Sequence, residues 1–472
     1  MAAHSSPEVI IAGGGLGGLF LGALLEKAGT PYIILERSTT VKAIGSAISI
    51  GATLLPLFDQ LGLLDDFVTL GKPSVRCLVN REGDQVSFAN DFTLWKEYTG
   101  YPDYMIGRPE LHNLLLRQIP SEKMHFGKRV LTIKEEDNRV KVITADGSSF
   151  EGDILVGADG AYSAVRQRLY DILRKEEKLP KSDQEDLPFS CTCLVGQTKP
   201  LDPEKYPLVK EPLCQFLTTL GKDKPYSWAL FTTAQNSICF VVIHHLDNVS
   251  SKAAEEQRFR SLENAEWGPY AAKAMCEQTR DFPIPGGSSL TTMGDIYDLT
   301  PPELISKVML EEKVFDTWSH GRIVLLGDAC HKMTPSAAQG AMVAMHDAAA
   351  LANLIYALPS NYTTKDLDVA FQEYKAERYP PALESFKSSQ LMGKAIDKGI
   401  GGMVGRFMMQ HKPDWLWRLI LKGMIKNRPL VGFLPQVPAK GTVPPNVSAS
   451  EVKARAVFQQ RLTATTAAAV SV

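Results

Sequence analysis

The chain has 472 residues, which is more than one hydrophobic core usually holds, so at least two lobes are expected. The hydrophobic fraction of 44% and the charged fraction of 22% are ordinary for a soluble globular protein. A formal net charge of −2, without a clustered basic surface in the sequence, argues against a general nucleic-acid binder. The composition therefore favours a protein whose partner is a small molecule.

Cysteine content and hydrophobicity set further limits. The seven cysteines are odd in number and include no C-x-x-C pair, so the sequence favours a reducing compartment and predicts neither a disulfide framework nor a metal site. Residues 1–7 lack the apolar region of a signal peptide, and no stretch reaches the roughly 18–20 uninterrupted apolar residues of a spanning helix. We therefore expect a cytoplasmic protein without a membrane-spanning segment.

The first elements predicted along the chain are a buried strand, a glycine-rich turn and a helix. The turn contains Gly13, Gly15 and Gly18 in the order G-x-G-x-x-G. Glycine at these places lets the chain turn tightly, lets a pyrophosphate approach the backbone and lets the helix pack on the strand. A second strand, Pro31–Glu36, ends in a carboxylate at the distance where such folds bind ribose hydroxyls. The pattern predicts a βαβ unit that binds a dinucleotide.

Two later segments have the form of further contact surfaces for the same ligand. A buried strand that begins at Ile154 runs into an Asp-Gly turn at Asp159, and the helix that follows is capped by Ser163. Another buried strand ends in a Gly-Asp motif at Asp328, and a helix begins near Gly340.

These three signatures resemble those of the flavoprotein hydroxylases related to p-hydroxybenzoate hydroxylase, over most of residues 8–360. Within that group, residues 45–50, 57–63, 327–335 and 428–435 resemble the fungal paxilline-type FAD-dependent monooxygenases. The resemblance implies that FAD is the cofactor, that NADPH or NADH is a transient reductant, and that O2 is a substrate. It further implies a flavin C4a-hydroperoxide that delivers one oxygen atom to the second substrate while the other leaves as water.

The resemblance also carries roles to individual positions. Arg108 matches an arginine along the FAD phosphates and ribityl chain, Asp159 matches an aspartate that supports the cofactor, and Asp328 matches one that binds a ribityl hydroxyl. Gly340 and Ala341 match the helix start whose amide groups and dipole stabilise negative charge on the reduced flavin.

Gly45 and Ala47 match the segment that passes close to the flavin ring. Two positions depart from the pattern of many relatives, which have Gly at the place of Ala338 and Asn at the place of Met342. His331 could be a general base because histidine titrates near neutrality, but a packing role beside the Gly-Asp motif is favoured. No catalytic side chain is assigned.

The predicted fold class is α/β, with a Rossmann-like FAD-binding lobe, an inserted and mostly β substrate lobe, and a helical C-terminal region. Specificity is expected from the sheet of residues 189–245, from residues 81–101 and from the loop 333–339. The predicted boundaries are 1–80, 102–186 and 295–360 for the FAD-binding lobe, 81–101 and 187–294 for the substrate lobe, 361–435 for the helical region, and 436–472 for a Pro/Ala-rich tail, partly disordered.

The stretch 415–426 has the spacing of an amphipathic helix that carries Arg418, Lys422 and Lys426. Packing onto the FAD-binding lobe is the favoured interpretation. Peripheral contact with an intracellular membrane that holds an apolar substrate is the alternative.

We therefore predict an NAD(P)H-dependent FAD monooxygenase that hydroxylates or epoxidises an apolar secondary metabolite, such as a prenylated aromatic, an indole or a terpenoid. The lack of a second complete glycine motif fits, because the related enzymes bind the nicotinamide transiently without a separate Rossmann domain. One alternative is an FAD-dependent reductase or dehydrogenase that does not insert oxygen. The other is a non-redox escort that cradles a prenylated partner, as GDP-dissociation inhibitors do.

Overall fold

The protein is a mixed α/β structure, as the sequence predicted. The computed structural model describes residues 7–40, 46–83, 86–136, 138–185, 189–246, 266–267, 269–284, 290–334, 339–395, 407, 411 and 413–470. The strands are β1 (Val9–Ala12), β2 (Tyr32–Leu35), β3 (Ala47–Ile50), β4 (Lys72–Ser74), β5 (Arg76–Arg81), β6 (Val86–Asp91), β7 (Asp103–Gly107), β8 (Met124–His125), β9 (Val130–Glu136), β10 (Arg139–Thr144), β11 (Ser149–Gly152), β12 (Ile154–Gly157), β13 (Phe189–Gln197), β14 (Phe216–Leu220), β15 (Tyr226–Thr232), β16 (Ile238–His245), β17 (Glu266–Trp267), β18 (Ile305–Glu311), β19 (Lys313–Val314), β20 (Ser319–His320), β21 (Ile323–Leu325) and β22 (His331–Lys332).

The α-helices of the described residues follow the same chain order. They are α1 (Leu16–Ala28), α2 (Leu55–Leu61), α3 (Leu64–Leu70), α4 (Thr93–Thr99), α5 (Arg108–Leu116), α6 (Ala164–Lys175), α7 (Lys181–Gln184), α8 (Pro207–Lys210), α9 (Pro269–Thr279), α10 (Met293–Asp298), α11 (Gly340–Tyr356), α12 (Thr364–Ala395), α13 (Asp414–Met424) and α14 (Ala449–Val470).

A six-stranded sheet forms the centre of the FAD-binding lobe. Its order is β20-β21-β12-β1-β2-β8, and β21, β12, β1, β2 and β8 run parallel. Strands β1, β12 and β21 are entirely buried and consist of Val, Ile, Leu, Ala and Gly, the composition expected of a parallel sheet covered on both faces. In the ladder, Ala12 pairs with both Leu35 and Gly157, and Gly157 pairs with Leu325. The carboxyl ends of four neighbouring strands therefore meet at one edge.

An eight-stranded sheet forms the second lobe, in the order β17-β18-β13-β16-β15-β14-β5-β6. Its strands alternate between two faces. Helices α9 and α10 cover one face of the sheet. The side chains between them form a separate hydrophobic core that includes Trp228, Phe240 and Met293. The other face is turned toward the FAD-binding lobe, because Ala47 and Met105 of that lobe pack with Cys239.

Three of the predicted lobe boundaries differ from those in the structure. Strand β5 and residues 305–311 are strands of the eight-stranded sheet, although the sequence placed them in the FAD-binding lobe. Helix α10 also packs in the core of the second lobe rather than the first. Residues 93–99 form a helix whose Tyr98 packs against the C-terminal region, where the sequence predicted strands of the substrate lobe.

The end of the chain also differs from the prediction. Residues 463–470 continue helix α14, where the sequence predicted disorder, and α14 packs on α11. Alanine has the highest intrinsic helix propensity, so the alanine run extends a helix whose first turns are anchored by packing. Within the ranges described above, no helix is both long enough and apolar enough to cross a bilayer.

Candidate cofactor and substrate site

The glycine-rich turn after β1 leaves open space at the start of α1. A Cβ atom on Gly13, whose φ is +113°, would lie 2.4 Å from the carbonyl oxygen of Ala158, and one on Gly18 would lie 2.0 Å from the carbonyl oxygen of Gly13. Gly15 is the N-cap of α1, and a Cβ there would meet no atom within 4 Å. The first and third glycines thus allow close backbone packing, while the second borders a space that a phosphate group can enter.

The acidic side chains predicted to contact the cofactor lie at the same edge of the sheet. Glu36 follows β2 and accepts hydrogen bonds from the backbone N–H groups of Gly14 and Ser38, both at 2.8 Å. Asp159 follows β12, and Asp328 follows β21. Three strand spacings separate β2 from β21, so the ends of these two strands lie about 15 Å apart, a distance that one extended dinucleotide can bridge.

The two aspartates differ in their electrostatic surroundings. Burial raises the pKa of Asp159, although its Oδ2 atom accepts from the backbone N–H of Ala164 at 2.7 Å. Burial would also raise the pKa of Asp328, but Lys332, His331 and Arg108 outweigh it and hold that pKa below its usual value. Lys332 Nζ donates to Asp328 Oδ2 at 2.6 Å. Asp328 is therefore ionised at neutral pH and can accept hydrogen bonds.

Helix α5 bridges the glycine turn and the Gly-Asp motif. Arg108, its first residue, is exposed and lowers the pKa of Asp328 by its charge. One helical turn later, His112 Nε2 donates to the carbonyl oxygen of Gly14 at 2.8 Å. Burial, followed by the charge of Arg108, lowers the pKa of His112, so the ring stays neutral. His112 is not among the residues predicted for the site, although its i+4 spacing from Arg108 places both on one helix face.

Several buried polar atoms along these segments have no hydrogen-bond partner among the described residues. Such atoms cost about 1–3 kcal/mol each when left unpaired, so a bound group that pairs them is favoured. FAD offers hydroxyl, phosphate and ring donors and acceptors along its length, and the residues present therefore fit it. The atoms are Asp159 Oδ1, Glu110 Oε2, His112 Nδ1 and Gln339 Oε1.

The start of α11 is the helix N-terminus predicted to face the flavin ring. Gln339 is its N-cap, and Gly340 and Ala341 are half-buried in its first turn. Met342 accepts a hydrogen bond on Sδ from the backbone N–H of Gly51 at 3.0 Å, so the thioether takes a position where many relatives have an amide. Residues 335–338, including Ala338 and part of the predicted specificity loop, lie outside the described residues, as does Gly45.

A buried acid lies beside this helix start. Asp103 accepts on Oδ1 from the backbone N–H of Ala52 at 2.8 Å, next to the Gly51–Met342 contact. Burial raises the pKa of Asp103 to about 7. No sequence motif marks this residue.

His331 belongs to a buried ion-pair network rather than to an open surface. Its Nε2 donates to Asp347 Oδ2 at 2.5 Å, and Arg378 Nε donates to Asp347 Oδ1 at 2.8 Å. Burial alone would raise the pKa of Asp347, but His331 and Arg378 hold it below its usual value. His331 is 1% exposed, so the network ties the Gly-Asp segment to α11 and α12 and supports the packing role.

The face of the eight-stranded sheet that is turned toward the FAD-binding lobe has a mainly apolar centre, which it shares by register with the hydroxyl groups of Ser227, Ser306 and Thr218. Most of its central side chains are half-buried, although Cys193 is 1% exposed, whereas those of the opposite face, such as Trp228 and Phe240, are fully buried against helices. Two titratable residues that share this face lie at the ends of strands. Arg81 is the last residue of β5, and His245 is the last residue of β16. The cleft face, as we call it, consists of Cys193, Val195, Ala229, Val241, Ile243 and Val308.

The chain belongs to the family described as the FAD binding domain, whose model matches residues 6–187 and 289–385. It is similar to the FAD-dependent monooxygenase atmM of Aspergillus flavus, with 28% identity over 447 residues that cover 91% of this chain and 87% of the relative. It is also similar to the FAD-dependent monooxygenase paxM of Penicillium paxilli, with 29% identity over 399 residues, 82% of this chain and 78% of the relative.

Among solved structures, HpxO of Klebsiella pneumoniae complexed with FAD and uric acid superimposes with a TM-score of 0.67. The identity is 20%, and the match covers 89% of this chain and 96% of that one, so it shows the shared fold. The protein is therefore an FAD-dependent monooxygenase of the flavoprotein hydroxylase fold, and FAD is its cofactor. This assignment confirms the predicted family.

Proposed function

We propose that this monooxygenase hydroxylates or epoxidises an apolar secondary metabolite, such as a prenylated aromatic, an indole or a terpenoid. The observation that carries the proposal is the cleft face, whose six central side chains are uncharged and small or aliphatic. A site for a small aromatic acid needs a cation to bind the carboxylate, whereas an apolar wall binds by burial of hydrophobic surface.

The proposal assigns cofactor contacts to the predicted residues. The amide groups at the start of α1, beside Gly13, Gly15 and Gly18, would bind the pyrophosphate, and Glu36 would bind the adenosine ribose. Asp159, Asp328 and Arg108 would hold the ribityl and phosphate part, while Gly45 and Ala47 would pass near the ring. Gly340 and Ala341 would direct their amide groups toward the negative charge of the reduced ring system.

When bound, FAD would accept a hydride from NADPH or NADH and supply one atom of O2 to the substrate, with the other atom leaving as water. The protein's own contribution is positional. The cleft face excludes water from one side of the reacting groups, and the ionised Asp328 and the start of α11 hold the cofactor in place. The proposal places this cycle in the cytoplasm, with at most peripheral contact with an intracellular membrane.

The test uses purified holoenzyme, NADPH or NADH, and ¹⁸O-labelled O2. With a prenylated aromatic, an indole or a terpenoid as substrate, we expect faster NAD(P)H oxidation and a product that contains one labelled oxygen atom. Turnover of p-hydroxybenzoate but of no apolar compound would contradict the proposed substrate class.

A variant links the reaction to the cleft face. Val241→Arg places a cation at the centre of that face and should reduce product formation by at least about tenfold, because the charge has to be desolvated when an apolar substrate binds. FAD content and unfolding temperature are measured alongside and should stay near the wild-type values, because the loss is assigned to substrate binding. Val369→Arg, at a position 52% exposed on α12, is the matched control and should behave like the wild type.

A further inference from the structure

Helix α13 has apolar side chains on two opposite sides. Leu421 and Ile425 are fully buried against Tyr98 and Val443, which is the packing that the sequence favoured. The other side of the helix carries large apolar side chains that remain open. They are Trp415 at 68% exposure, Leu419 at 63%, Ile420 at 47% and Leu416 at 36%.

These four side chains form one continuous patch. Trp415 and Leu419 are four residues apart, as are Leu416 and Ile420, so each pair lies on the same face in adjacent turns. Scattered exposed apolar residues are normal, but a contiguous patch on one short helix marks an interaction surface.

A row of basic side chains borders the patch. Arg418, Lys422 and Lys426 follow one another at four-residue spacing and are exposed. Arg418 Nη1 lies 3.4 Å from the hydroxyl of Tyr98, and Lys422 Nζ lies 5.5 Å from the centre of that ring, so Tyr98 holds both near the boundary between the buried and open sides. The acidic residue of the helix is Asp414, at the first position, where its negative charge interacts favourably with the helix dipole.

We propose that the open side of α13 docks on a phospholipid bilayer that carries anionic headgroups. An apolar side with basic residues along its border is the arrangement by which a helix lies in the membrane interface, with the apolar groups at the acyl boundary and the cations at the headgroups. A second copy of this chain fits less well, because the same helix offers the basic row only Asp414 as an acidic partner.

The docking surface does not depend on the proposed reaction, because its residues belong neither to the cleft face nor to the proposed cofactor contacts. The test is co-sedimentation of the full-length holoenzyme with phosphatidylcholine vesicles, with and without phosphatidylserine, in the absence of substrate and reductant. We expect binding that increases with phosphatidylserine and decreases with salt. A failure of this assay therefore says nothing about the reaction, and a failure of the labelled-oxygen assay says nothing about docking.

Two double variants separate the apolar and the electrostatic contributions. Trp415→Ser with Leu419→Ser should weaken binding by about tenfold or more. Lys422→Ala with Lys426→Ala should weaken it by about fivefold per lysine on phosphatidylserine vesicles and leave binding to neutral vesicles unchanged.

The matched control is Val369→Ser with Val452→Ser, which removes exposed apolar groups from α12 and α14 and should bind like the wild type. FAD content and unfolding temperature report whether each variant is folded. The proposal is overturned by a lack of binding to every vesicle, by binding that the Trp415/Leu419 variant retains, or by a dimer in light scattering that this same variant dissociates.

Discussion

At the scale of single residues, Gly13 and Gly15 differ in what a methyl group would meet. At Gly13 the left-handed backbone and the neighbouring carbonyl of Ala158 leave no room for a side chain, whereas at Gly15 the backbone is extended and the space is open. Two glycines of one motif therefore serve different needs, one for folding and one for the ligand.

This difference predicts two separable variants. Gly15→Ala should fold normally but bind FAD at least about tenfold more weakly, because its methyl group fills the space that the pyrophosphate enters. Gly13→Ala should destabilise the fold itself through steric conflict and backbone strain. Flavin absorbance and unfolding temperature measured on the apoprotein distinguish the two. Equal loss of apoprotein stability in both variants would contradict this division.

Asp103 predicts a pH dependence of stability. Its pKa is about 7 in the folded protein against 3.8 for an ordinary Asp, so the folded state binds more protons than the unfolded state between these values. The stability that the protonated carboxyl contributes is therefore fully present below about pH 4 and is lost as the pH rises through 7. One pKa unit corresponds to about 1.4 kcal/mol, so the loss is at most about 4 kcal/mol.

Asp103→Asn keeps an oxygen for the Ala52 N–H and removes the charge. The variant should therefore unfold at a higher temperature than the wild type at pH 8, and the difference should shrink toward pH 5. Asp66→Asn, at an exposed position of α3, is the control and should show no such trend. A difference between wild type and Asp103→Asn that is the same at both pH values would contradict the assignment.

At the scale of elements, the network of His331, Asp347 and Arg378 joins the Gly-Asp segment to two helices. A buried pair stabilises little compared with an apolar contact of the same shape, but removing a partner of a buried charge costs up to about 3–5 kcal/mol. Without Arg378, Asp347 keeps its hydrogen bond to His331 but loses the guanidinium. Arg378→Met should therefore lower the unfolding temperature and release FAD more readily, because Asp328 is three residues from His331. Lys141→Ala, which breaks the exposed contact with Glu151, should leave the unfolding temperature close to that of the wild type. Equal effects of the two variants would contradict the role of the network.

The secondary-structure elements also explain which parts of the site could be predicted from sequence. Gly13, Glu36, Asp159 and Asp328 follow strands whose apolar runs are visible locally, and parallel strands bring their carboxyl ends together. His112, Asp103 and the Asp347 network lack such a signal. Their roles depend on contacts with distant parts of the chain, which spacing along one helix or strand does not encode.

At the scale of the whole molecule, the fold class and the two lobes were predicted, but several boundaries were not. Strand β5 pairs in parallel with β14, which follows much later in the chain. Strand β13 pairs with β18, which is the last strand of that sheet in chain order. Alternation identifies a strand and its two faces but does not say which sheet the strand joins. The cleft face illustrates this, because the alternation of residues 189–245 was visible, whereas only the position of Ala47 beside Cys239 shows which side meets the cofactor lobe.

The position of β21 has a consequence for biosynthesis. In the nucleotide-binding sheet, β12 has β1 on one side and β21 on the other, and β21 leaves the ribosome only after all the strands of the substrate lobe. Until then the outer edge of β12 has no neighbour to hydrogen-bond, and such an edge is prone to aggregation. The nascent chain should therefore depend on a chaperone during this interval, because every strand of the second lobe is synthesised before the first sheet can be completed.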